Sequence, residues 1–144
     1  MHGVTGLGHV AIRVSDVDRT LDFYTGKLGF QEMLRLHRDD GRLWLLYLRI
    51  TDDQYLEVFP DAVGEQAPTQ ESNGLNHICL TVADLDDVVR QLGARGVPLS
   101  RPPKLGADGN RQAWIEDPDG NRIELMEMAA GSLQAKAIER LRQR

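Results

Sequence analysis

Two stretches of this chain can be laid one over the other. GLGHVAIRVSDVDRTLD, from Gly6, and GLNHICLTVADLDDVVR, from Gly74, share Gly, Leu, His, Val, Asp and Asp at a single spacing. His9 thereby pairs with His77, 77 − 9 = 68 positions on. A second match follows in each copy: DDQYLEVF against DGNRIELM sets Glu57 with Glu124, 124 − 57 = 67 positions on. Self-similarity of this length makes the chain two copies of one supersecondary unit, which excludes most architectures at once. Each copy carries a histidine near its start and a glutamate near its end.

The elements of a copy follow from local patterning. In LGHVAIRV the set Val10, Ile12, Val14 alternates with His9, Ala11, Arg13, and in LNHICLTV the set Ile78, Leu80, Val82 alternates with His77, Cys79, Thr81. That is the period of a strand with one buried face. A helix follows each. Ser15 is read as the cap of SDVDRTLDFYTGKLG, with Asp18 three residues on, Val17, Leu21, Tyr24 and Leu28 at helical spacing, and Gly29 as the stop. Asp84 caps DLDDVVRQLGARG, which carries a Leu85, Val88, Val89, Leu92 stripe and stops at Gly96. QEMLRLHR, RLWLLYLRI and QYLEVF complete the first copy, with turns at Asp39-Asp40-Gly41 and Asp52-Asp53. RQAWIE and NRIELME flank Asp117-Pro118-Asp119-Gly120 in the second. A weak middle strand is expected near Val97–Arg101, because Pro98, Pro102 and Pro103 interrupt it. The expected class is α+β: two βαβββ modules, about 6–60 and 74–128, joined by a polar linker over 61–73 and followed by a C-terminal helix over about 132–143. The 144 residues are expected to form a single domain.

The same alternation puts the histidine of each first strand, and the glutamate of each last strand, opposite the core-facing residues. Curling of the mixed sheet would set His9, Glu57, His77 and Glu124 on its concave side. Two imidazoles and two carboxylates make a suitable donor set for Zn, Ni, Co, Mn or Fe(II), and an ion would neutralise carboxylates that otherwise repel. Tyr47, Tyr55 and Phe59 fall on the same face by phase, whereas Trp44 and Trp114 are read as core and Cys79 as a small buried thiol. Arg101 and Lys104 stand on a Pro/Gly-rich loop, as solvated charges or poised over an anionic ligand. The last helix is read as a docking or dimer element, with Leu133, Ala137, Ile138 and Leu141 on one side and Lys136, Arg140, Arg142 and Arg144 on the other.

The net charge of −5 and pI near 5.3 give no basic surface for nucleic acid. No run approaches the roughly 18 apolar residues of a membrane span. One cysteine and an opening without signal-peptide character point to the cytoplasm.

Taken together, GLGHVAIRV, FYTGKLGF, GLNHICLTV and EDPDGNRIEL resemble the vicinal oxygen chelate superfamily (the glyoxalase/bleomycin-resistance/dioxygenase type of fold), from about Gly6 to Glu127. Within it the pattern is most similar to glyoxalase I, or lactoylglutathione lyase, of the short bacterial type. That resemblance implies one divalent ion held by His9, Glu57, His77 and Glu124, and isomerisation of a hemithioacetal of a 2-oxoaldehyde and a thiol to a thioester through a metal-bound enediolate. It implies Glu124 as the base on the carbon-bound proton and Glu57 in the complementary role. Arg13 matches the arginine that meets the glutathione carboxylate, and Asp61 stands where glyoxalase I usually has asparagine. With Lys104, these are the expected substrate contacts. A homodimer is implied as well. The alternatives are another metalloenzyme on the same scaffold (an extradiol-type dioxygenase, an epimerase, or a thiol- or water-adding resistance enzyme) and a non-catalytic small-molecule binding protein. Glutamate at position 57 favours the glyoxalase pattern over the dioxygenase and epimerase ones.

Overall fold

The structure, a computed structural model, describes residues 3–64 and 66–143; Met1, His2, Glu65 and Arg144 lie outside them. The chain divides into two compact units, residues 1–65 and 66–144. Each holds one four-stranded mixed sheet, and the whole is the α+β arrangement that the repeat predicts.

The first unit runs β1 (His9–Arg13), α1 (Val17–Leu21), β2 (Gln31–His37), β3 (Leu43–Arg49) and β4 (Tyr55–Phe59). Its strand order is β1-β4-β3-β2, with β1 parallel to β4 and the other pairings antiparallel. Ile12, Val14, Leu46, Leu48, Leu56 and Val58 are buried, while His9, Ala11 and Arg13 are open, as the alternation requires. The cap of α1 is Asp16, not Ser15. Asp16 adopts the extended backbone a cap needs and its Oδ1 accepts from the Arg19 N–H at 3.0 Å, leaving the Ser15 hydroxyl to accept from the Arg19 guanidinium. The repeat itself pointed there, since 84 − 68 = 16. Beyond Leu21 the helix widens into a π-helical turn, Asp22–Lys27, which buries Phe23 and Tyr24 and closes with the Leu28 N–H on the Phe23 carbonyl. Gly29, at φ +81°, ends it.

Trp44 is a correction: it is exposed, beside Arg38. The pairing of Leu36 with Leu45 and of His37 with Leu43 leaves Trp44 as the extra residue of a β-bulge, which turns it away from the core.

The second unit repeats the plan with β5 (Ile78–Thr81), α2 (Leu85–Ala94), β6 (Arg101–Leu105), β7 (Arg111–Glu116) and β8 (Arg122–Glu127), ordered β5-β8-β7-β6. β5 is parallel to β8. The stripe of α2 packs against β7 and β8, burying Leu85 and Leu92. Asp84 caps it as expected, accepting from the Asp87 N–H, and Glu127 accepts from the Leu85 N–H at 2.7 Å. The middle strand lies at Arg101–Leu105, about one strand-half further on than the prolines suggested. It is the sheet edge, and the register shift between Arg101 and Lys104 takes up Pro102 and Pro103, which have no N–H to give. Arg101 and Lys104 are therefore strand residues, not loop residues.

The polar segment before β5 is fastened to the second unit. Ala67 N–H donates to the Asp119 carbonyl at 2.7 Å, and Arg122 donates to the carbonyls of Pro68 and Asn76. At the other end, α3 (Leu133–Arg142) is capped by Ser132 and held by buried Asn110, whose amide donates to Gln134 Oε1 and accepts from the Ala129 N–H. Ala137 and Ile138 are half-buried, but Leu133 and Leu141 are exposed rather than docked.

Candidate functional site

In both units a parallel strand pair brings a histidine to a glutamate. Glu57 on β4 is paired with Ala11 on β1, two residues after His9, so the two side chains emerge on one face of the sheet. His9 Nε2 lies 3.5 Å from Glu57 Oε2. Glu124 on β8 is paired with Cys79 on β5, two residues after His77, and His77 Nε2 lies 3.1 Å from Glu124 Oε2. The Asp117–Asn121 turn aims β8. Asp117 Oδ1 accepts from the Asp119 and Asn121 N–H groups, and Gly120 takes φ +81°.

Each pair has an aromatic neighbour from the middle strand. Tyr47 is paired with Glu57 and Trp114 with Glu124, again 114 − 47 = 67 positions apart. Tyr47 meets the His9 ring edge-on at 5.8 Å and Trp114 meets His77 at 4.8 Å. Trp114 is thus half-buried on the histidine face, while Ala113 and Ile115 take the core. Its alternation with those two residues carried that information. The partners then differ. Tyr47 donates its hydroxyl to Glu57, which raises the phenol's pKa above the usual value, with burial and the carboxylate's charge adding to the shift. The Trp114 N–H goes to Gln112 Oε1, and Arg101 lies over the indole.

Cys79 is exposed rather than buried as a residue, but its thiol faces Glu124. Burial first, then the Glu124 charge, pushes it up to about 12, so it is no nucleophile.

The expected substrate contacts are distributed as follows. Arg13 donates to the Pro60 carbonyl at 2.8 Å and stacks over Phe59. Asp61, next along, holds φ +61°, the left-handed region that aspartate tolerates better than most residues. Lys104 is exposed on β6, paired with Gln112. Tyr55 sends its hydroxyl to the Asp52 carbonyl.

The donor chemistry suits a divalent ion. Glu57 is only 8% exposed, and among the described residues the basic group within ion-pair distance of each carboxylate is its histidine. A sunken carboxylate beside an imidazole that can be neutral lacks a full countercharge, and a metal ion supplies one. Among the described residues no group of three or more His, Cys, Asp or Glu side chains is gathered, so within each unit the donors come as a pair.

Two βαβββ units, each with a His/Glu pair carried on an edge strand and the interior strand parallel to it, define the class of fold. The pattern of the Glyoxalase/Bleomycin resistance protein/Dioxygenase superfamily matches residues 6–125, and the chain belongs to that superfamily. The Bacillus subtilis protein YwkD is 33% identical over 124 residues, which cover 83% of this chain and 94% of YwkD. Lactoylglutathione lyase of Pseudomonas aeruginosa is 30% identical over 146 residues, covering 83% of this chain and 80% of that enzyme. Among solved structures, the glyoxalase family protein of Enterococcus faecalis superposes with a TM-score of 0.74 at 30% identity, covering 85% of this chain and 97% of that one.

Proposed function

We propose that this chain is a divalent-metal-dependent isomerase or lyase of the lactoylglutathione lyase type, working in the cytoplasm as a homodimer. Its substrate is the hemithioacetal of a 2-oxoaldehyde and a thiol such as glutathione, and its product is the thioester. The observation that carries this reading is the recurrence of one His/Glu pair, in the same strand register, in both units. The similarity to lactoylglutathione lyases supports it.

In this reading His9, Glu57, His77 and Glu124 are the residues that would hold the ion. When bound, Ni, Zn, Co, Mn or Fe(II) supplies Lewis-acid stabilisation of negative charge on adjacent substrate oxygens. Glu124 takes the carbon-bound proton, and Glu57 serves its return to the neighbouring carbon. The electron pair of the broken C–H bond stays in the substrate, so the isomerisation needs no oxidant. Arg13 and Lys104 face the anionic part of the thiol, and Asp61 meets its backbone.

Elemental analysis of protein purified without added metal, then EDTA treatment and an ultraviolet assay with methylglyoxal and glutathione, tests the reading. Metal-dependent thioester formation is expected. A protein that refuses Ni, Zn, Co and Mn overturns it, as does a loaded protein inert with thiol adducts that consumes oxygen with a catechol.

A further inference from the structure

His77 is engaged through both ring nitrogens. Nε2 lies 3.1 Å from Glu124 Oε2, and Nδ1 lies 2.8 Å from Asn76 Oδ1. The orientation of an asparagine amide is set by its bonding partners. Here Asn76 Nδ2 donates to the Gln70 main-chain carbonyl at 2.9 Å. A carbonyl only accepts, so the amide nitrogen must face Gln70 and Oδ1 must face the imidazole. Oδ1 also only accepts, so His77 Nδ1 carries the hydrogen. In the neutral ring Nε2 is then a bare lone pair, aimed at a carboxylate oxygen. Two lone pairs at that separation repel unless a positive centre stands between them.

We propose that Asn76, braced by the Gln70 carbonyl, is a positioning residue that fixes the His77 tautomer with Nδ1 protonated and Nε2 presented for ligation. Its use in ligation rests on the metal reading above. The brace is itself supported. Arg122, on the strand of Glu124, bonds the carbonyls of Pro68 and Asn76, and so ties both ends of the Gln70 segment to β8. Arg101 stacks over Trp114, which flanks the His77 ring, and donates to Gln70 Oε1 at 2.8 Å. The matching place in the first unit lacks the device. The position equivalent to Asn76 in the first copy, 76 − 68 = 8, is Gly8, which has no side chain to accept from His9. Outer partners of this kind set which nitrogen a histidine offers and how firmly.

The test uses full-length protein with 15N-labelled histidine. In metal-free protein with both imidazoles neutral, the His77 Nδ1–H should exchange slowly with solvent and the His9 Nδ1–H rapidly. With zinc, His77 should keep Nδ1–H while its Nε2 resonance shifts. Asn76→Ala should remove the exchange protection and weaken zinc binding about 10–100-fold in chelator competition. Asn76→Asp, which keeps an acceptor, should restore both toward wild type. An unprotected His77 Nδ1–H in the wild type overturns the proposal, as does Asn76→Ala with unchanged exchange and zinc affinity. Wild-type protein that binds no zinc, yet loses a protected Nδ1–H on Asn76→Ala, upholds the tautomer lock and overturns the metal reading instead.

Discussion

The Tyr47 hydroxyl donates to the Glu57 carboxylate, and the residue at the matching place beside Glu124 is Trp114, whose N–H is turned to Gln112. One carboxylate of the proposed donor set is therefore met by a hydroxyl from its neighbouring strand, and the other by the Cys79 thiol. A thiol is the weaker donor, which suits the proposed division of labour in which Glu57 stays put while Glu124 moves a proton.

Tyr47→Phe removes that hydroxyl and little else. Metal affinity should fall about tenfold, measured by chelator competition, as is common when an outer-shell partner is lost. Circular dichroism should be unchanged. An affinity equal to wild type would show that Glu57 needs no support from β3.

Glu124→Gln keeps the shape of the side chain but cannot accept the proton. Turnover should drop by about 10²–10⁴-fold, the usual worth of a general base. Metal should still bind, more weakly. Retained turnover would move the base elsewhere.

The turn before β8 should be sensitive to any side chain at Gly120. Its φ of +81° disfavours a Cβ, which would also sit 2.5 Å from Gln66 Oε1. Gly120→Ala should cost about 1–2 kcal/mol, read from the urea midpoint.

A pH effect is expected at the start of α2. Arg111 donates to Asp86 at 2.6 Å, and that bond, aided by its charge, holds the Asp86 carboxyl below its usual range. A lowered folded pKa gives stability that is present above the unfolded aspartate value of about 4 and is lost as pH falls through the folded value. Wild type should therefore melt above Arg111→Gln near neutral pH, and the two melting curves should converge in acid. A constant gap down to strong acid would contradict the assignment.

Much of this was legible because a repeat and a period of two are long-range and short-range statements of the same fold. Offsets of 68 and 67 placed His9 with His77 and Glu57 with Glu124, and the alternation gave their face. The offsets of 68 and 67 held the Asp16 cap and the Tyr47–Trp114 equivalence respectively, but residue type outweighed position: serine looked the better cap and tryptophan the better core residue. Trp44 was lost to a bulge, which breaks the period from which it was judged. The edge strand Arg101–Leu105 was obscured by prolines that an edge tolerates. Asn76 had no sequence signal at all. Its role depends on a main-chain carbonyl at Gln70, and a backbone group leaves no trace in residue types.

The stitching of residues 66–73 onto the second unit changes how the molecule should be dissected. The repeat begins at Gly74, which invites a half-molecule cut there. Such a fragment would strip Arg122 of the Pro68 carbonyl, Asp119 of Ala67 and Asn76 of Gln70, and so release the histidine it was made to study. A half begun at Gln66 keeps all three ties.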